Sequence, residues 1–312
     1  MDTKELKQQL ADALIAEGAD IVRCGNVERF HDPAILQLMP TAKTVVCAAF
    51  RQLRGSRRGI EEGTTYYQYT TMAVITLEET VMPIALLRGC AVLEKAGYEA
   101  LPQRRNQFVR HDSANTSPEM YPEMVETANS HELIMDFEQD AIDCGLGERG
   151  LSGSILTDEF GPCQRFVFIL TDAELPPDPL VQPHLCDHCG KCVKACPGHA
   201  LSADGKLDTW QCSAYYAGAA KAINPFMPDD AFADDPDRLA IIAGEAHLTP
   251  EHAREILSQL VFYPGMRCGY HASICGRACD TECYIHLEEK GALSRKFLTP
   301  FRKRPKWSLS YP

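Results

Sequence analysis

"LCDHCGKCVKACPGHAL", residues 185–201, places four cysteines within eleven positions and follows the last with a proline. Cys186, Cys189, Cys192 and Cys196 with Pro197 spell C-x2-C-x2-C-x3-C-P, the bacterial spacing for a 4Fe-4S cluster. Two-residue spacers wrap three thiolates around successive corners of one cubane, with backbone amides turned towards the sulfurs. The fourth thiolate leaves towards a different cluster. Zinc is the alternative metal, although zinc sites pair C-x2-C units across a longer loop. The motif therefore asks for a second cubane and a second supply of thiolates. Cys212, Cys275, Cys279 and Cys283 bring the set to eight, the number two cubanes require. The expected pairing is Cys186, Cys189, Cys192 and Cys283 on one cluster and Cys196, Cys212, Cys275 and Cys279 on the other. Cys268 is a spare able to replace one of them.

The chain carries 14 cysteines among 312 residues. Its start, MDTKELKQQLADALIAEGAD, reads as an amphipathic helix with Leu6, Leu10, Ala13 and Leu14 on one face, not as a secretory signal. No uninterrupted apolar run reaches the length of a membrane span, because Pro83 and Arg88 interrupt VMPIALLRGCAVL, residues 81–93. A cytoplasmic location is expected, with no membrane partner. Thiols stay reduced there, so the cysteines point to metal or redox chemistry and not to a disulfide framework. Cys24, Cys47, Cys90, Cys144 and Cys163 stand singly in apolar surroundings and read as small buried hydrophobes. With 45% hydrophobic and 24% charged residues, neither a disordered nor a fibrous chain is expected. The net charge is -12, yet Arg295, Lys296, Arg302, Lys303, Arg304 and Lys306 form a basic tail with no acid after them. That tail reads as a solvated terminus, or as phosphate contacts if nucleic acid is a partner.

Organisation follows from periodicity and punctuation. GADIVRCG (18–25), AKTVVCAAF (42–50) and RFVFILTD (165–172) read as buried strands. Thr64 to Gly97 reads as a helix broken or kinked at Pro83, and His131 to Cys144 as another, ending at Gly145. ELPPDPLVQP, residues 174–183, holds four prolines and marks the domain boundary, giving domains 1–182 and 183–312. LSADGKLDTWQC (201–212) looks like a turn between extended pieces with Asp204 and Gly205 at its tip. Residues 249–262 read as a helix with Thr249 as N-cap and Pro250 at its first position.

GLGERGLSGSILTDEFGPCQRFVFILTDAELPPD, residues 145–178, followed by the cysteine module, resembles the epoxyqueuosine reductases and the related reductive dehalogenases. PTAKTVVCAAF (40–50), EGTTYYQYT (62–70), LEKAGYEALP (93–102) and LDTWQCSAYY (207–216) extend the likeness over roughly residues 5–290. The resemblance implies an α+β chain in which a nitroreductase-related cobalamin-type domain precedes a ferredoxin-like domain with two 4Fe-4S clusters. It implies a reductase whose cubanes feed electrons to a corrinoid. Gly145, Gly147, Gly150 and Gly153 are then the candidate cofactor-binding residues, since glycine would bring backbone close to a large planar ligand. GLGERG is also G-x-G-x-x-G, but it precedes a strand and does not open a helix after one, so a dinucleotide fingerprint is rejected.

Counting back from Gly145, the position of the family's proton-donating aspartate falls near His131, and histidine can donate a proton near neutral pH. Dehalogenases of this kind use a tyrosine as acid, which makes Tyr66 and Tyr67 further catalytic candidates. His111, Asp112 and Arg165 lie near matched segments and are assigned no role. The sequence departs from the family in three ways. The second cysteine group reads C-x3-C-x3-C with Tyr284 where proline is common, the chain stops soon after the clusters, and no twin-arginine signal is present. The expected function is a cytosolic iron-sulfur oxidoreductase that passes electrons through two 4Fe-4S clusters to cobalamin, which reduces a small-molecule or modified-nucleoside substrate. A ferredoxin or flavodoxin is the expected low-potential donor. The alternatives are an electron-transfer protein without corrinoid chemistry, a flavin in place of the corrinoid, and a tRNA-modifying epoxyqueuosine reductase.

Overall fold

The structure is a computed structural model that describes residues 2–104, 133–260 and 272–301. AKTVVCAAF becomes β2, Thr44–Arg51, whose residues are buried on both faces up to Phe50. Side chains alternate across a strand, so Val45, Cys47 and Ala49 enter one apolar layer and Val46, Ala48 and Phe50 the other. β1, Ile21–Asn26, and a later strand, Gln164–Thr171, flank β2, both antiparallel to it. Ala100–Gln103 adds the edge strand β3, which pairs with Gln164–Thr171. The short hairpin of β4, Glu148–Arg149, and β5, Ile155–Leu156, precedes that long strand, which is therefore β6. The main sheet order is β1-β2-β6-β3.

One layer is covered by α1, Thr3–Ala16, started by the Asp2 carboxylate accepting the Lys4 N–H. Leu6, Leu10 and Leu14 of α1 meet Leu86 and Leu93 of a second helix on the sheet. That second helix is continuous from Tyr69 to Lys95, 27 residues, and differs from the expected kinked rod. Tyr69–Ile75 and Leu77–Val81 are wound as π-helix, and regular α4, Met82–Lys95, begins with Pro83 in its first turn. Proline has no N–H to return to the preceding turn, so the change of winding falls where its absence costs least. By length and composition this helix could also cross a membrane, with a third of its most apolar window buried. Its buried face, Ala85, Leu86, Gly89 and Leu93, is the face turned to the sheet. Gly89 allows that contact, since a Cβ there would lie 2.8 Å from Ile169 and 2.9 Å from Leu14.

The other layer holds α2, Pro33–Leu38, and α5, Phe137–Asp143. The expected helix from His131 is shorter because the Asp136 carboxylate caps it, accepting from the Gln139 N–H. Its end at Gly145, φ 81°, is as the sequence suggests. The same apolar layer continues past the proline-rich stretch into Leu185, Tyr284, Ile285 and Leu287. A separate cluster around Tyr215, Ile241 and Ile256 packs α7, Thr209–Ala217, and α8, Arg238–Ala243, against α9, Pro250–Gln259. Leu201 and Leu207 bridge around Gly205 as expected, but Asp208 then caps α7, so Cys212 rides on a helix and not on an extended piece. α3, Arg54–Glu61, α6, Lys191–Lys194, and α10, Ala278–Glu289, complete the order.

Candidate functional site

The eight candidate cysteines come from four segments: the 186–192 loop and α6, the turn at Cys196, helix α7, and the end containing α10. Packing draws them into two sets of four. Burial raises the Cys283 thiol, and Asp280, Cys192 and Cys186 push it the same way. Burial likewise raises Cys192, with Cys189 and Cys186 adding to it. In the second set burial pushes Cys275 up to about 12, reinforced by Cys212 and Cys196. Cys279 is raised by burial, by Asp280, and by Cys275 and Cys212. Crowded, buried thiols resist ionisation when no metal is near, and a bound cation reverses that preference.

Three main-chain amides already point at the sulfurs. Leu151 N donates to Cys186 Sγ at 3.3 Å, Ala200 N to Cys196 Sγ at 3.2 Å and Ala278 N to Cys275 Sγ at 3.4 Å. Amides aimed at sulfur suit thiolate ligands of an iron-sulfur cluster. The spacing also tells against one zinc ion per set. Thiolates sharing a tetrahedral zinc sit about 3.8 Å apart for Zn–S bonds of about 2.3 Å. Among the described residues, the group with three ligand atoms within 4.8 Å of one another is Asp187, Cys189 and His286, and neither cysteine set closes that far. Asp187 there is satisfied by His286 Nε2 at 3.0 Å and Lys290 Nζ at 2.8 Å, which hold its carboxyl well below the usual range. Cys268 lies outside the described residues.

Glu148 explains how the first cluster loop is held. Its buried carboxylate accepts from the backbone N–H groups of His184, Leu185 and Cys186, fixing the chain just as it reaches its first ligand. The second group's C-x3-C spacing is accommodated by two successive left-handed residues, Gly276 at φ 57° and Arg277 at φ 56°. Tyr284 stands inside α10, where proline would remove a helical hydrogen bond. Its ring packs against Phe301, with the Arg54 guanidinium 5.9 Å away.

Beside the cysteine sets lies an open cleft whose empty space, about 690 Å³, includes the solvent at its mouth. Its lining is mixed: Met82, Phe166 and Val167 stand beside Glu78, which meets Arg165 at 3.2 Å, and beside Arg104, Glu138 and Ser154, while Arg277 and Asp280 form the wall towards the cysteines. Ser154 Oγ donates to Asp280 Oδ1 at 2.6 Å and accepts from the Arg277 guanidinium at 3.0 Å.

The glycines need a correction. A Cβ on Gly145 would lie 2.3 Å from Pro179 O, and one on Gly147 would lie 2.1 Å from Leu156 O. Gly150 is pressed by the Leu156 side chain. These three are required by the chain's own packing, and only Gly153, φ 82° with open space at its Cβ position, borders the cleft. The tyrosines also sit elsewhere. Tyr66 is buried edge-on to Phe226, at 5.3 Å, beside Ala272 and Ile274. Tyr67 is exposed, and its carbonyl accepts from Thr71. Neither belongs to the described lining. His131, His111, Asp112 and the tail beyond Phe301 lie outside the described residues. No spacing signal marks Glu148, Ser154, Arg277 or Asp280, which only tertiary packing assembles.

Residues 179–201 match the family described as a 4Fe-4S binding domain. A tetrachloroethene reductive dehalogenase of Desulfitobacterium hafniense is 42% identical over 68 residues, covering 20% of this chain and 12% of that protein. An epoxyqueuosine reductase of Bacillus anthracis is 37% identical over 71 residues, 23% of this chain and 18% of that protein. The matched stretch thus spans less than a fifth of either relative. The structure of a catabolic reductive dehalogenase in complex with 3-bromo-4-hydroxybenzoic acid superposes on 82% of this chain and 36% of its own, with a TM-score of 0.52 at 16% identity, a likeness of fold. The homologues are thus named epoxyqueuosine reductase and reductive dehalogenase.

Proposed function

We propose that this chain is an iron-sulfur reductase of the epoxyqueuosine reductase and reductive dehalogenase kind, with two 4Fe-4S clusters and a nitroreductase-related first domain. Cys186, Cys189, Cys192 and Cys283 would hold one cluster and Cys196, Cys212, Cys275 and Cys279 the other. The observation that carries this reading is the meeting of four chain segments as two cysteine sets, one wall away from the cleft. Cys189 is exposed, which makes its cluster accessible to a low-potential donor such as a ferredoxin or flavodoxin. None of the four cysteines of the other set is exposed.

A corrinoid in the cleft would supply a cobalt centre able to take single electrons and act on the substrate. Towards such a group the chain offers the open edge at Gly153 and the paired charges of Glu78 with Arg165. Glu138 stands on the lining as a carboxyl able to hold or release a proton. The polar residues of the lining suit a small molecule or nucleoside with hydrogen-bonding groups. Electron transfer without any corrinoid is the second reading, and it is favoured by the three glycines that the chain's own packing explains.

Anaerobic reconstitution with iron and sulfide tests the first part. Roughly eight irons per chain and the spectra of two cubanes are expected; a single cluster, or zinc in its place, overturns the assignment. Retention of added cobalamin through gel filtration, seen in the visible spectrum, separates the corrinoid reading from plain electron transfer.

A further inference from the structure

Asp280 sits between the two cysteine sets, one residue after Cys279 and three before Cys283. Its side chain is 1% exposed. One oxygen accepts from Ser154 at 2.6 Å, while the other meets Arg277 Nε at 2.6 Å and the Arg57 guanidinium at 3.7 Å. On α10 it stands beside Cys279 of one set and one helical turn before Cys283 of the other, so its charge is close to both. Arg277 keeps a left-handed backbone although it is not glycine, a conformation that persists only where its surroundings hold it. The ion pair with Asp280, three residues on, does this.

Building on the two-cluster assignment, we propose that Asp280 is a positioning residue that sets the reduction potentials of both clusters together, with Arg277 as its counter-charge on the cleft wall. The physical argument is Coulombic. A reduced cluster carries one more negative charge, so a buried carboxylate beside it disfavours reduction and a buried guanidinium favours it. Few surrounding waters are available to screen Asp280 and Arg57, which are both almost wholly enclosed, whereas a third of the Arg277 side chain is exposed and its charge is screened more. The Arg57–Asp280–Arg277 row therefore holds opposing influences in one place, with Ser154 linking it to the cleft. A charged substrate or cofactor fragment approaching Arg277 would shift the balance for both clusters at once.

Anaerobic redox titration followed by electron paramagnetic resonance tests this on the reconstituted full chain. Asp280→Asn is expected to raise both midpoints, each by a shift of about tenfold in the reduction equilibrium, or about 59 mV for a one-electron couple. Arg277→Gln is expected to lower both, and Asp280→Glu, which keeps the charge, to stay near the parent protein. Ser154→Ala removes a hydrogen bond without a charge and should move the midpoints least. If Asp280→Asn fails to load iron, the Arg277→Gln midpoints alone decide between the two outcomes. Unmoved midpoints in fully loaded variants overturn the inference while leaving the two clusters standing. Absence of clusters in the parent chain overturns the proposed function instead.

Discussion

The cluster scaffold and the cleft beside it are built in opposite ways. Around the cysteine sets, short loops and helix turns deliver most of the thiols at fixed local spacing, with Cys212 and Cys283 brought in from other segments and amides from Leu151, Ala200 and Ala278 aimed at sulfur. The cleft is instead a meeting of side chains from remote segments, where Glu78 of a π-wound helix faces Arg165 of β6 and Ser154 faces Asp280. The glycine segment belongs to both, touching a cluster ligand through Leu151 and the cleft through Gly153.

The sharpest way to break the comparison is to remove the ligand that local spacing does not supply. Cys283→Ala should lose roughly half of the reconstituted iron, together with the spectrum of the cluster nearer the exposed Cys189. If the variant instead loses the other cluster, the pairing of α10 with the 186–192 loop is wrong.

A smaller effect separates the glycines. Gly147→Ala forces a Cβ to within 2.1 Å of the Leu156 carbonyl oxygen, so the backbone of the β4–β5 hairpin must move. Roughly 3 kcal/mol or more of stability should go with it. Gly153→Ala meets open space and bears only the positive φ, about 1 kcal/mol. Thermal melts of the two variants measure the difference, and equal losses would return Gly147 to cofactor duty.

The smallest expected effect concerns Asp140 on the buried face of α5. Burial first, then Asp32, Asp136 and Asp143, push its carboxyl up to about 8. The folded chain therefore keeps a proton that the unfolded chain releases near pH 4. Stability should fall as pH rises between those values and level off above the upper one. Asp140→Asn should flatten that fall, giving a gain of roughly 2 kcal/mol at pH 8 and little at pH 4. Parallel pH profiles for parent and variant would refute this placement of the proton.

Much of this was readable from the order of residues wherever a rule acts over a few positions. Thr249 caps α9 through its hydroxyl, and Gly145 ends α5 in the left-handed region. β2 carries the uninterrupted apolar run of a strand covered on both faces. The site was legible in its cysteines and much less so in its cleft. Tyr66 and Tyr67 were candidates because the dehalogenases that the chain resembles use a tyrosine as acid, but tertiary packing places one in a core with Ala272 and Ile274 and leaves the other in solvent. The start of α5 escaped periodicity because Asp136, an N-cap, lies inside a stretch that otherwise reads as helix.

The amino-acid sequence by itself determined that iron and sulfide belong here, since ligand spacing in C-x2-C-x2-C-x3-C-P is a property of neighbouring bonds and needs no fold to express it. Which distant thiol approaches which loop, why three glycines are indispensable, and how Asp280 and Arg277 come to stand between two cysteine sets and a cleft were decided only in three dimensions. Contacts between remote segments follow from how buried surfaces fit, and that fit is a sum over the whole interior that no short window of sequence contains.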